Sequence, residues 1–263
     1  MKAKPYVGIT GPVNTFEVES ICKKFRESGY SMGSPHIPML GFLVSYKTLN
    51  NLPTANKRYP QVHVLRDLLA ETQKDVLTMV HYNTKEMPSL AGQVAQIFDG
   101  IYQNKLCRAL QMNIIWPDVQ QVKTIKERFP EMQIVFQASH KAMENKSPKE
   151  IIAGIGEYVD TLDYVLIDPS GGRGLEFDIE QSLAVYSELR EKLPDLTVGF
   201  AGGFNGKNVD TVVEKLIAKL GSTDFCIDAE GGLRDKISEE YGDDLLNIDS
   251  VRRYLQKASL VLK

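Results

Sequence analysis

Short apolar runs alternate along the chain with stretches in which apolar residues recur every three or four positions. Val18, Ile21, Cys22 and Phe25, for example, follow the spacing i, i+3, i+4, i+7, which predicts a helix that buries one face. The apolar runs predict strands, and a helical pattern follows each of them. The predicted strands span residues 6–10, 38–45, 75–81, 106–112, 132–137, 164–168, 196–201 and 224–228.

Eight strand–helix units in 263 residues indicate the fold class. Strands that alternate with helices favour a parallel sheet, and a closed (β/α)8 barrel typically needs about 250 residues. We therefore predict an α/β protein with one (β/α)8 (TIM) barrel domain over residues 1–263, with an open, doubly wound sheet as the alternative. The acidic stretch 235–244 is expected to be a solvated insertion in the last loop.

Local signals mark some helix ends. Ser147 and Glu150 form the pattern of a capping box, with Pro148 at the first helical position, which predicts the start of a helix. Gly221 directly follows the helical pattern of residues 209–220 and is placed to end that helix.

The composition narrows the functional classes. With 43% hydrophobic and 25% charged residues, the chain is typical of a folded domain. A net charge of −3 disfavours nucleic acid and anionic membranes as partners, and no apolar run approaches the roughly 18 residues that span a bilayer. The first residues lack an apolar signal core, so we expect a cytoplasmic protein. A homodimer is compatible with these features.

The cysteines give no sign of a metal or redox site. Cys22, Cys107 and Cys226 are widely spaced, which excludes a disulfide framework and a compact zinc site. Their apolar surroundings predict that all three are core residues. Neither a metal-binding cluster nor the Gly-x-Gly-x-x-Gly spacing of nucleotide sites is present. We therefore predict no metal and no cofactor.

Glycine-rich segments follow the predicted sixth, seventh and eighth strands. In a barrel the chemistry lies in the loops at the carboxyl ends of the strands, and glycine lets backbone N–H groups approach an anion. A phosphate site for a small phosphorylated ligand is therefore expected there, with tight turns as the alternative explanation. The candidate phosphate-binding residues are Gly171, Gly172, Gly174, Gly202, Gly203, Gly231 and Gly232.

Five segments together resemble the phosphoribosylanthranilate isomerase family of tryptophan biosynthesis. That family begins with a strand Lys-Ile-Cys-Gly-Ile-Thr and has Gly-Gly motifs after its sixth and seventh strands. The matching segments are Pro5-Tyr6-Val7-Gly8-Ile9-Thr10, Asn56-Lys57-Arg58-Tyr59, Asp168 with Gly171-Gly172-Arg173-Gly174 and Phe177-Asp178, Gly202-Gly203-Phe204 with Asn208-Val209, and Ile227-Asp228-Ala229-Glu230-Gly231-Gly232.

The resemblance implies an Amadori rearrangement of a phosphoribosyl amine. In the family a general acid protonates the furanose ring oxygen, and this acid corresponds to Asp168. A general base removes the proton on C2′, but the family's catalytic cysteine corresponds to Val7. The family also anchors its substrate with an arginine, which Arg58 matches. The fourth strand also differs from the family's pattern, because Gln111-Met112-Asn113-Ile114 stands in place of Gln-Leu-His-Gly. Because loss of one acid/base partner costs about 10²–10⁴-fold in rate, we expect a divergent relative rather than an efficient isomerase of this substrate.

Other residues could supply the missing base or contact the ligand. His81 ends the predicted third strand and has a suitable pKa range; His140 is a weaker candidate. Arg173 could contact phosphate or be a solvated loop charge. Glu230 would repel phosphate if it pointed inward, so it either points away or the ligand differs. Asp228 is expected to orient the last loop, and His36 and His63 are expected at the surface.

Three functions remain open. The first is a metal-independent isomerase of a phosphorylated sugar-type ligand, an intramolecular oxidoreductase with Asp168 as general acid. The second is a non-catalytic binding or sensor protein that keeps the phosphate site, which the valine at position 7 favours. The third is a genuine phosphoribosylanthranilate isomerase with a relocated base.

Overall fold

Eight parallel strands close into a barrel in the order β1 to β8. This computed structural model describes residues 2–72, 74–170 and 179–262. β1 pairs with β8, with Val7 opposite Ile227 and Gly8 opposite Asp228, which confirms the closed barrel over the open sheet. The strands are β1 (Tyr6–Thr10), β2 (Ile37–Ser45), β3 (Leu77–Asn83), β4 (Ala109–Met112), β5 (Gln133–Ser139), β6 (Tyr164–Asp168), β7 (Thr197–Ala201) and β8 (Cys226–Ala229).

A helix follows each barrel strand, as the periodicity predicts. After β2 and β5 a short helix of four residues lies directly behind the strand and precedes the longer helix. The capping box is present, since the Ser147 N–H donates to Glu150 Oε2 over 2.8 Å, and Gly221 ends its helix at φ 65°. The helices are α1 (Thr15–Glu27), α2 (Tyr46–Leu49), α3 (Val62–Glu71), α4 (Leu90–Phe98), α5 (Val119–Arg128), α6 (His140–Met143), α7 (Pro148–Gly156), α8 (Ile179–Lys192), α9 (Val209–Leu220) and α10 (Ile248–Val261).

Alternation along β1 separates two apolar cores. Val7 and Ile9 belong to the large core that includes Val18 and Ile21 of α1, so they face the helices. Tyr6 belongs to a smaller core built from strand residues inside the barrel. Position 8 also faces inward, because a Cβ on Gly8 would lie 2.6 Å from the Met39 side chain. The orientation of each strand residue thus follows from its parity in the strand.

One expectation about exposed residues holds in the main and another is wrong. The stretch 235–244 lies in the last loop and is largely exposed, as expected. It forms part of a hairpin between β9 (Arg234–Lys236) and β10 (Asp244–Leu246), and its Asp244 is buried beside two arginines. His36 is also buried, since it lies below the barrel where its Nε2 donates to the Thr223 carbonyl over 2.8 Å. His63 is exposed as expected.

The described residues contain no helix that is long and apolar enough to cross a bilayer. Cys22, Cys107 and Cys226 are buried, as predicted from their apolar surroundings.

The inward position of Gly41 allows a direct test of the barrel's internal packing. A Cβ there would lie 2.5 Å from His81 Nε2 and 2.6 Å from Thr10 Oγ1. Because overpacking a closed interior is unfavourable, Gly41→Ala should lower the free energy of unfolding by about 1–3 kcal/mol. Denaturant unfolding measures the change.

The control is Gly92→Ala on α4, where a Cβ meets no atom within 4 Å. It should leave stability unchanged or raise it by up to about 1 kcal/mol. Equal effects of the two substitutions would contradict the packing argument.

Candidate active site

Polar side chains from five barrel strands and their loops line a pocket at the carboxyl end of the barrel. Three of the lining residues described are carboxylates, and no lysine or arginine is among them. The described lining consists of His81, Gln111, Asn113, Gln137, Leu166, Asp168, Ser170, Ala201, Gly202, Gly203, Asp228, Glu230 and Gly231.

Asp168 ends β6 and is 3% exposed. Gln137 Nε2 on the neighbouring β5 donates to its Oδ2 over 2.6 Å. The hydroxyl of Ser170 donates to Oδ1 over 2.9 Å, and the Ser170 N–H donates to the same oxygen over 3.1 Å. These donors hold the carboxylate in one orientation at the pocket, where the sequence pattern places it.

Asp228 is the second carboxylate at the pocket, and it lies on the other side of β7 from Asp168. The hydroxyl of Thr10 on β1 lies 3.1 Å from Oδ1 and 3.2 Å from Oδ2 and donates to this carboxylate. Burial, together with the nearby charge of Glu230, raises the pKa of Asp228 to about 7. A carboxyl group with this pKa exchanges a proton near neutral pH, which suits general acid–base chemistry.

His81 reaches the pocket from β3, as predicted, but burial lowers the pKa of its imidazole to about 3. The ring is therefore neutral at neutral pH and a weak base. Its Nε2 and the Oε1 of Gln111 on β4 are both buried without a hydrogen-bond partner. Both residues line the pocket, so a bound ligand could satisfy these atoms.

Arg58 is held at the rim of the barrel by two carboxylates. Its Nη1 lies 2.7 Å from Glu230 Oε1 and its Nη2 lies 2.6 Å from Asp244 Oδ2. Asp244 also accepts from Arg234 Nε over 2.6 Å. Although burial alone would raise it, the hydrogen bonds from Arg58 and Arg234 lower the pKa of Asp244. The guanidinium also lies over the ring of Tyr241, 4.7 Å from its centroid.

Glu230 points inward, so the alternative that it points away is wrong, and the reasoning from the sequence then requires a ligand that does not place its phosphate against this carboxylate. It lines the pocket on one side and contacts Arg58 on the other. Burial raises the pKa of Glu230 above its ordinary value, although the Arg58 guanidinium opposes that shift.

The glycines after β7 and β8 lie where the loops approach one another. Gly202 and Gly203 adopt φ of 106° and 74°, a region that favours glycine. A Cβ on Gly202 would lie 2.8 Å from Ser170 Oγ, and one on Gly232 would contact the Phe204 carbonyl oxygen. The loops after β6, β7 and β8 therefore meet at one edge of the barrel. Gly171, Gly172, Arg173 and Gly174 lie outside the described residues.

Two positions lie away from the pocket. Val7 is fully buried in the core between the barrel and the helices, so a side chain at this position faces away from the pocket. His140 is exposed at the start of α6.

Sequence reasoning missed the pocket roles of Asp228, Gln111 and Gln137. A partial signal was available for Asp228, because alternation puts it on the same strand face as Cys226, which the sequence assigns to the core. The strand register, with Gly8 opposite Asp228, then shows that this face is the barrel interior. No comparable signal existed for the pairing of Arg58 with Asp244, which lie 186 residues apart.

Comparison with known proteins supports the barrel. No protein-family model matches the chain, and no curated protein matches its sequence. Solved structures do match. Phosphoribosyl anthranilate isomerase from Thermotoga maritima has 17% identity and a TM-score of 0.61, covering 97% of this chain and 98% of that one. The Thermus thermophilus enzyme has 14% identity and a TM-score of 0.62, covering 97% and 99%.

A third similar structure is phosphoribosyl anthranilate isomerase in complex with reduced 1-(o-carboxyphenylamino)-1-deoxyribulose 5-phosphate. It has 16% identity and a TM-score of 0.59, and the match covers 97% of this chain and 98% of that one. The chain therefore has a single (β/α)8 barrel like that of the phosphoribosyl anthranilate isomerases. At these identities the likeness concerns the fold.

The raised pKa of Asp228 predicts a pH-dependent stability. The folded chain binds this proton up to about pH 7, whereas an unfolded aspartate releases it near pH 3.9. The contribution of Asp228 to the free energy of unfolding therefore falls as the pH rises from about 4 to about 7. Asp228→Asn carries no such proton. The free energy of unfolding of Asp228→Asn, taken relative to that of the unsubstituted protein, should therefore increase by about 1–3 kcal/mol when the pH is raised from about 5 to about 8.

Urea unfolding at the two pH values measures this difference. Asp67→Asn on the exposed face of α3 is the matched control and should show no such trend. A stability difference for Asp228→Asn that does not change with pH would contradict the raised pKa.

Proposed function

We propose that the protein is an isomerase of a phosphorylated sugar-type ligand, with Asp168 and Asp228 as its proton-transfer pair. One observation carries the proposal: two buried carboxylates, on the strands that flank β7, face the same pocket. Their hydrogen-bond environments differ, because Asp168 accepts from Gln137 and Ser170 while Asp228 accepts from Thr10. Paired carboxyl groups in different environments can divide the roles of acid and base.

In the proposed reaction Asp168 is the general acid, the role that the family resemblance implies, and it acts in its protonated form. It protonates the ring oxygen of a phosphorylated glycosylamine, and the ring C–O bond breaks to leave an iminium ion. Asp228 is the general base and takes the proton from C2, which gives an enolamine that tautomerises to the 1-amino-ketose. A base with a pKa near the working pH is favoured in such a step. The pKa of Asp228, raised to about 7, supports this assignment over His81, whose pKa is lowered to about 3.

The phosphate of the ligand is assigned to the loop after β7, because the inward carboxylate of Glu230 would repel an anion at the loop after β8. Gly202 and Gly203 allow the backbone to approach an anion there, and this loop belongs to the usual phosphate position in barrels of this class. The close approach of the loops after β6 and β7 supports the assignment. Gly231 and Gly232 remain candidates from the sequence, as do Gly171, Gly172, Arg173 and Gly174.

The proposal differs from the family's mechanism in the place of the base. Position 7 faces the helices, so the base is assigned to Asp228 on β8, next to β1 in the closed barrel. This is the relocated base that the third hypothesis from the sequence requires.

Single substitutions of the two carboxylates test the proposal. The unsubstituted protein should convert an N-substituted phosphoribosylamine to the 1-amino-ketose. Asp168→Asn and Asp228→Asn should each lower kcat/KM by about 10²–10⁴-fold, because each removes one proton-transfer group. Product formation is followed by fluorescence with phosphoribosylanthranilate, and by chromatography with amines that do not fluoresce.

Asp67→Asn, on an exposed helix face, is the control and should keep full activity. Turnover that survives both pocket substitutions would refute the assignment. Rescue of a tryptophan auxotroph that lacks the isomerase would identify the anthranilate substrate.

A binding or sensor protein is the second candidate function, and the lack of a proton acceptor at position 7, where Val7 is a core residue, favours it. It predicts that phosphorylated ligands bind in calorimetry while no substrate of the panel is converted. Turnover that Asp228→Asn abolishes would exclude this candidate.

A further inference from the structure

The guanidinium of Arg58 already binds two carboxylates of the chain. Nε and Nη2 both donate to Asp244, over 3.0 Å and 2.6 Å to Oδ2, and Nη1 donates to Glu230 over 2.7 Å. The side chains of Arg58 and Asp244 are each 6% exposed. A carboxylate on the ligand would therefore meet an arginine whose positive charge two internal carboxylates already compensate.

Glu230 is the partner that stands between Arg58 and the pocket. It belongs to the pocket lining, whereas Arg58 and Asp244 do not. The carboxylate of Glu230 thus occupies the position from which an anionic group of a ligand would contact Arg58. At this side of the pocket the ligand meets a hydrogen-bond acceptor with a negative charge.

Other groups around the pocket are acceptors as well. Asp168 and Asp228 add two carboxyl groups, and a pKa of about 7 leaves Asp228 partly ionised near neutral pH. No lysine or arginine belongs to the described lining, and its imidazole, His81, is neutral because burial lowers its pKa to about 3. The Oε1 atom of Gln111 is an independent sign of a missing donor, because it is buried and has no hydrogen-bond partner. Gln111 is itself only 2% exposed. A buried acceptor without a donor is unfavourable, so a ligand with N–H groups would stabilise this lining.

We infer that the pocket binds a protonated amine of its ligand beside Glu230, and that Glu230 excludes ligands carrying a carboxylate at that position. The inference rests on the proposed function for the phosphorylated sugar part of the ligand and adds the chemistry of its amine substituent. The substrate class is accordingly a phosphorylated aminosugar with a basic, cationic substituent. Glu230 determines specificity here and takes no part in proton transfer.

A matched pair of reduced product analogues tests the inference by calorimetry. One probe is reduced 1-(o-carboxyphenylamino)-1-deoxyribulose 5-phosphate, and the other carries an aminomethyl group in place of the carboxylate. The unsubstituted protein should bind the aminomethyl probe about tenfold to 100-fold more tightly, as expected for a hydrogen bond to a charged group. Glu230→Gln should remove or reverse this preference, because it removes the negative charge and weakens the hold on Arg58.

Glu239→Gln is the control, since its side chain is 97% exposed in the same hairpin segment and the charge change is identical. It should leave the preference unchanged. In Glu230→Gln the bonds between Arg58 and Asp244 remain, and its melting temperature reports whether the fold is kept. If that variant does not fold, the ratio measured on the unsubstituted protein decides the question alone.

The outcomes separate the inference from the proposed function. Tighter binding of the carboxylate probe, or equal binding of both probes, overturns the inference while the phosphorylated sugar site stands. A preference for the aminomethyl probe that Glu230→Gln does not alter overturns the role of Glu230. Failure of both probes to bind any of the proteins overturns the inference and the proposed function together.

Discussion

The pairing of β1 with β8 is the constraint on which the rest of the structure depends. It sets Gly8 opposite Asp228 and closes the barrel, so that every second residue of a strand has only the interior to occupy. At the carboxyl end that interior contains Thr10, His81 and the pocket carboxylates instead of branched apolar side chains. Barrel closure therefore brings together acidic groups that are far apart in the sequence.

Closure of the barrel also leaves little space around the polar side chains of the interior. Gly41 leaves room for the ends of His81 and Thr10, and Thr10 in turn holds Asp228. The absence of a side chain at Gly202 likewise leaves room for Ser170, whose hydroxyl donates to Asp168. Each carboxylate is thus oriented by a hydroxyl donor that fits only because a neighbouring residue has no side chain. The packing of the barrel interior therefore also determines the geometry of the pocket.

The buried carboxyl groups differ in pKa because burial and neighbouring charges act on them in different proportions. Asp244 binds two guanidinium groups, which lower its pKa against the effect of burial. Burial and the nearby charge of Glu230 raise the pKa of Asp228 to about 7, although its hydroxyl donor Thr10 opposes that shift. A buried carboxylate is unfavourable unless charge or hydrogen bonds compensate it. At the rim, Arg234 of the hairpin of β9 and β10 helps to compensate the charge of Asp244. In the barrel interior the pKa of Asp228 is near neutral pH, so this carboxyl group can exchange a proton.

The sequence by itself determined the fold class, because hydrophobic periodicity is a local property that survives in the folded chain. The predicted bounds of β6 and α9 match the structure to the residue, whereas β4 begins at Ala109 rather than at residue 106. The predicted end of β6 located Asp168, and His81 lies within β3, which continues to Asn83 instead of ending at His81. Only the tertiary structure decided the direction of Glu230, the inward place of Asp228, and the pairing of Arg58 with Asp244. Which face of a strand becomes the barrel interior, and which distant residues meet, depends on contacts across the whole chain, which local patterns do not encode.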